Sequence, residues 1–288
     1  MTFKFMTCIF AASVTLCALA QGRDPQWFQR RMSELDRTLL ESDKVKKIES
    51  LGEFIGIGRY GYNSMDDEQR AIFGKAQSAL LSIPGHAQYY QNKIEDSRKQ
   101  VKANENLSPE EKERLRRAGK PAVGLGDYWD VRDAAFQVLA QLPSPETVAV
   151  LGHFLEDPEG RNGKDLLGNP LVWHDDVAPA YPNCWLACIS ITNLGIEHAP
   201  IGDVSKLNSV VMDPAQVDAW KGWWQEVKSG KRTYRFKGSA IEYGADDPAT
   251  KEQLEKTTKD RKQAEKGRKG TGSESESPKA EQVAPPNP

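Results

Sequence analysis

Residues 157–183 gather the side chains of this chain best suited to chemistry. Asp157, Glu159, Asp165, Trp173, His174, Asp175 and Asp176 fall within one stretch rich in Gly, Pro and Asn. Carboxylates with an imidazole are ligands for a divalent cation, and calcium takes carboxylate and carbonyl oxygens at ~2.3–2.6 Å. The spacing is not that of an EF-hand, because Asp157-Pro-Glu159-Gly-Arg161 sets a cation where the third oxygen ligand belongs. A connection this long without periodicity is uncommon inside a compact domain and, when ordered, often functional. Asp165, Trp173, His174, Asp175 and Asp176 are therefore the candidate binding residues. Which metal, if any, they would take is unknown, and a plain polar connection is the competing reading.

Two further groups carry chemical potential. Cys184 and Cys188 are the only cysteines beyond residue 17, and an even count in an oxidising compartment invites a disulfide. Four residues apart on a helix, their Cα atoms are near the upper limit for a bridge, so two buried thiols are the alternative. Trp220, Trp223 and Trp224 lie on one helical turn. Trp220 and Trp224 belong to an apolar stripe with Val217 and Val227, leaving Trp223 as a binding aromatic against the favoured reading of core or cap packing. His86, His153 and His198 stand singly. No Gly-x-Ser-x-Gly, phosphate loop, His-Glu-x-x-His or paired-cysteine zinc signature is present. No cofactor is expected, and the pattern leans away from an enzyme.

Charge and the first residues narrow the class. With 39 Lys and Arg against 41 Asp and Glu, the chain lacks the basic excess that phosphate backbones require, so nucleic acid is not an expected partner. The Arg232–Lys237 alternation, with Tyr234 and Phe236, is discounted on the same ground. Residues 1–20 read as a signal peptide: Lys4, an apolar run, then Ala18-Leu19-Ala20 before Gln21. Nothing later is apolar enough to span a membrane. The expected location is secreted or periplasmic.

The elements that must position these residues are helices. In residues 129–155, Val131, Ala134, Ala135, Val138, Leu139 and Leu142 recur at three- and four-residue steps, and Val148, Leu151, Phe154 and Leu155 repeat the stripe. Between them Leu142-Pro143-Ser144-Pro145 stops one helix and starts the next, with Ser144 as N-cap. The reading is two helices folded back on each other. Ser82-Ile83-Pro84 aligns with Gln141-Leu142-Pro143 at an offset of 59 residues, and Asn193-Leu194 with Gln141-Leu142 at 52 (141 − 82 = 59 and 193 − 141 = 52). The pattern over about residues 66–229 resembles a HEAT-like repeat of the armadillo type. That resemblance implies an all-α solenoid of about four antiparallel helix pairs, with insertions on one face and a binding surface along the stack.

The remaining elements fit that frame. One helix carries Trp27, Phe28, Met32, Leu35, Leu39 and Leu40; the next is capped by Ser42 or Asp43, with Val45, Ile48, Leu51 and Ile55 in register. A charged helix follows the Ser108-Pro-Glu-Glu111 capping box. Asn183 is read as the cap of a helix with Leu186, Ile189 and Thr192 inward. The tryptophan helix and a short extended stretch after it make a C-terminal cap. The domain expected is residues 21–244, and residues 245–288 read as a polar, largely disordered tail. The function expected is a non-catalytic binding or scaffold protein holding a protein partner. The alternative is an enzyme or metal-binding domain with its site in residues 157–183.

Overall fold

A computed structural model describes residues 27–56, 65–159, 164–169, 181–202 and 213–245. Their helices are α1 (Trp27–Leu39), α2 (Lys44–Gly56), α3 (Asp67–Leu81), α4 (His86–Glu105), α5 (Pro109–Arg117), α6 (Leu125–Leu139), α7 (Pro145–Leu155), α8 (Asn183–Asn193) and α9 (Pro214–Lys228). No strand is present among the described residues, and isolated bridges join Ile196 to Phe236 and Tyr234 to Tyr243. The protein is all-α there, and no described helix is long and apolar enough to cross a membrane. The signal-peptide and tail readings lie outside the described residues.

Most helix starts obey their local sequence. Asp43 accepts from Val45 N and Lys46 N, Asp66 and Ser108 each close a capping box, and Ser144 and Asp213 cap α7 and α9. Each satisfies a backbone N–H that has no partner within its own helix. Helix α4 differs, because its N-cap is Gly85, at φ +81°, which has no side chain to offer. Glu146 of α7 supplies the missing acceptor: Oε2 takes Gly85 N at 3.0 Å and Oε1 takes Gln88 N at 3.2 Å. Beside it, buried His86 holds Ile83 O through Nδ1 and reaches Ser144 Oγ at 3.1 Å through Nε2. Gln77 Nε2 donates to Gln141 O. The two proline turns aligned at the 59-residue offset are thus laid side by side.

The broadest helix contacts are α4 with α6, α7 with α8, and α2 with α3. The helices joined by the proline turns, α3–α4 and α6–α7, are not among the broadly touching pairs, although the Phe136 and Phe154 rings meet edge to face at 5.1 Å. The broad packing is therefore between helices that the proline turns do not join. Periodicity marks which face is apolar; the neighbour that covers it is settled by how the turns stack. Leu40, expected inward, is 85% exposed. In α8 the inward face is Cys184, Trp185, Ala187, Cys188, Ile191 and Thr192, whereas Leu186 and Ile189 are half-buried.

At the C-terminal end α9 packs on α7 and α8. Trp224 lies flat against Gly152 of α7, so closely that a Cβ there would overlap its ring. Trp220 donates its indole N–H to Thr192 Oγ1 at 3.0 Å. The extended segment after α9 doubles back, with Tyr234 and Tyr243 exchanging backbone hydrogen bonds, Lys237 N donating to Gly195 O, and Glu197 N donating to Arg235 O.

Candidate functional site

Two polar arrangements stand out. The first is a half-buried charge cluster at the ends of the 157–183 connection. Arg98 of α4 pairs with Asp157, with Glu95 at 3.2 Å and, through Nε, with Glu159 at 3.0 Å in an orientation that makes an ion pair but no hydrogen bond. Tyr128 of α6, fully buried, donates to Glu159 at 2.9 Å. Asn183 Nδ2 donates to Asp157 Oδ2 at 3.0 Å and to Tyr128 Oη at 3.2 Å. Arg132 stacks 5.8 Å over the Tyr128 ring and pairs with Asp133. Asn183 is thus no cap; its side chain leaves its own helix start to bind this cluster.

The electrostatics follow from one guanidinium serving several acids. Burial alone would raise Asp157, but the Asn183 amide, Glu159 N–H and Arg98 outweigh it and hold the carboxyl below its ordinary range. Burial wins at Glu159, whose pKa is raised despite Arg98 and Tyr128. Burial and the Glu159 charge push the Tyr128 hydroxyl up to about 12. Beside the cluster is a cleft of about 360 Å³ lined by Arg98, Lys102, Asp157, Glu159, Lys164 and Asp165 among others. Its basic and acidic residues balance, and most are already engaged.

The second arrangement is a groove walled by α2, α4 and α6. Two adjoining cavities, about 500 and 470 Å³, share Glu49, Lys93 and Val131 in their walls. Its floor is small and apolar, formed by Gly52, Val131, Ala134, Ala135 and Val138, with Tyr90 at the side. Two of the six stripe residues are therefore not core: Ala134 is exposed and Val131 half-buried. The rim is acidic. Glu49, Glu53, Asp96, Asp127 and Asp130 line it with one basic residue, Lys93, which lies 3.2 Å from Glu49 and over the Tyr89 ring, while Lys99 pairs with Asp96 at 3.1 Å from outside the lining. Among the described residues no cation is within ion-pair distance of Glu53 or Asp130. Burial, then the Asp127 and Asp133 charges, raise Asp130 above its ordinary pKa. At the groove's other end the Ser97 hydroxyl, on a residue only 7% exposed, has no hydrogen-bond partner.

No family model, curated protein or solved structure matches the chain.

Of the residues singled out from the sequence, Trp173, His174, Asp175 and Asp176 lie outside the described residues. Asp165 turns back on its own loop: Oδ1 accepts from Leu167 N at 2.9 Å and Asn169 N at 2.8 Å, and Oδ2 from Asn169 Nδ2 at 3.2 Å. That is the loop-closing use of Asp. No group of three His, Cys, Asp or Glu side chains suited to a metal is found among the described residues. Trp223, a binding candidate set against core or cap packing, is 5% exposed and sits edge to face with Trp220 and Tyr234. The reason is the returning segment, which covers the second face of α9. Cys184 and Cys188 are buried thiols not joined by a disulfide, and burial pushes Cys188 up to about 12. The sequence reading missed Arg98, Tyr128 and the groove acids. Only Asp127, Asp130 and Asp133, three apart on α6, left a legible trace.

Proposed function

We propose that this chain is a secreted or periplasmic, non-catalytic binding or scaffold protein, whose HEAT-like stack of helix pairs holds a protein partner in the groove between α2, α4 and α6. The observation that carries the reading is the groove itself: a small-residue apolar floor inside an acidic rim whose Glu53 and Asp130 have no cation among the described residues. Apolar floors with a polar rim are how protein surfaces grip a partner's side chains. The side-by-side proline turns support the stacked-pair architecture, because repeats related by a fixed offset bring equivalent turns together. The alternative, an enzyme or metal site in residues 157–183, gains nothing from Asp157, Glu159 and Asp165, whose carboxylates are engaged by Arg98, Asn183, Tyr128 and the loop backbone.

The test is crosslinking and affinity capture from the protein's own envelope fraction, comparing the native chain with Val131→Asp and with Asp127→Asn/Asp130→Asn. A partner held by the native protein and lost by both variants, with helical content unchanged, supports the reading. Capture indifferent to the groove overturns it. A divalent metal that raises the melting midpoint of the native protein, but not of His174→Ala/Asp175→Ala/Asp176→Ala, favours the alternative, since a ligand specific to the folded state must stabilise it.

A further inference from the structure

The groove's charge has a counterpart within the same chain. Its lining residues carry five acids and one base, a net of −4 (1 − 5). Residues 251–269, outside the described residues, carry Lys251, Lys256, Lys259, Arg261, Lys262, Lys266, Arg268 and Lys269 against Glu252, Glu255, Asp260 and Glu265, a net of +4 (8 − 4). The 25 residues from Ala245 to Lys269 reach up to ~80 Å when extended, more than the width of a domain of this size. Tethering gives such a segment a local concentration on the order of millimolar, so weak contacts suffice.

We propose that the groove of α2, α4 and α6 is occupied in the free protein by the chain's own basic segment, residues 251–269, with its lysines set against Glu53, Asp127 and Asp130. This rests on the reading of the groove as a binding surface, and adds that an external partner must displace the segment. With Glu49 paired to Lys93 and Asp96 to Lys99, the segment's charges match the three rim acids, Glu53, Asp127 and Asp130, for which the described residues supply no ion pair. Its few apolar side chains, Leu254 and Ala264, suit a shallow floor of Val131 and Ala134 better than large aromatics would. The Ser97 hydroxyl, with no partner at the groove's end, offers an acceptor to a lysine ammonium or a donor to a backbone carbonyl.

The experiment uses the full chain and a water-soluble carbodiimide, which joins a lysine amine directly to a carboxylate within contact distance. At about 10 mM salt, where charges are felt over ~30 Å, monomeric protein should yield amide links from lysines of residues 251–269 to Glu53, Asp127 or Asp130. At about 1 M salt, with screening within ~3 Å, the yield should fall about tenfold. Lys259→Glu/Arg261→Glu/Lys262→Glu should lose the remaining links from Lys251, Lys256 and Lys266 while its helical content stays unchanged. The proposal is overturned if the links are absent at low salt, persist at full yield in the triple variant, or occur only in covalent dimers. Should the links be absent while groove variants still lose an external partner, this inference fails and the groove's role stands.

Discussion

Glu146 caps a helix to which it does not belong: its carboxylate receives the N–H groups of Gly85 and Gln88 at the start of α4, 61 and 58 residues away in the chain. The capping carboxylate that α4 lacks locally comes from the first turn of α7. One side chain thereby links the two proline turns.

Glu146→Ala should therefore destabilise the protein by about 1 kcal/mol, the usual cost of losing an N-cap, with an upper bound near 2. Thermal melting measures it. Gly85→Ala should also cost stability, because φ +81° is strained for any residue with a Cβ. A Glu146→Ala midpoint equal to the native one would mean the two turns do not support each other.

Arg98 holds Asp157 and Glu159 together, so Arg98→Leu should cost about 3–5 kcal/mol by leaving two buried carboxylates without their cation. The two acids respond oppositely to pH. Asp157 has a lowered native pKa, so its contribution is complete above the ordinary Asp value and is lost as pH falls through the native one. Glu159 has a raised native pKa, so its contribution is present below the ordinary Glu value and is lost as pH rises through the native one. The urea midpoint of Glu159→Gln should accordingly climb relative to the native protein's as pH rises above the ordinary Glu value. Parallel curves for the two proteins would contradict the burial of Glu159.

Gly152 is the point where α9 closes on α7. Gly152→Ala would drive a methyl into the Trp224 ring, an overpacking that costs about 1–3 kcal/mol. Denaturant unfolding followed by tryptophan fluorescence reads both the stability and the displaced indole. Gly222→Ala, with open space at its Cβ, is the control and should leave the midpoint unchanged or raised.

Cys184 and Cys188 should resist alkylation in the native protein and react fully once it is denatured, because both are buried and the Cys188 thiol is held far from its thiolate. Mass mapping after iodoacetamide at pH 8 gives the answer. Native-state loss of both thiols to a bridge would show that the start of α8 distorts as a disulfide requires.

The helices, several of their caps and the C-terminal cap were legible in the sequence because each is a local property. Asp66, Ser108, Ser144 and Asp213 act within three residues of themselves, and the stripe Val217, Trp220, Trp224 and Val227 repeats at helical steps. The alignment of the two proline turns was likewise visible as an offset. What the tertiary structure decided was the use of each side chain whose partner is distant. Asn183 reads as a cap yet binds Asp157 and Tyr128; Trp223 reads as spare yet is covered by the returning segment; Val131 and Ala134 read as core yet floor an open groove. Arg98 showed locally only its pairing with Glu95, three residues before it, since its other acids stand 59 and 61 residues away (157 − 98 and 159 − 98). Periodicity reports which side of a helix avoids water, whereas pairing between charges far apart in sequence depends on how rigid helices stack, and one chain's local pattern carries no record of that distance.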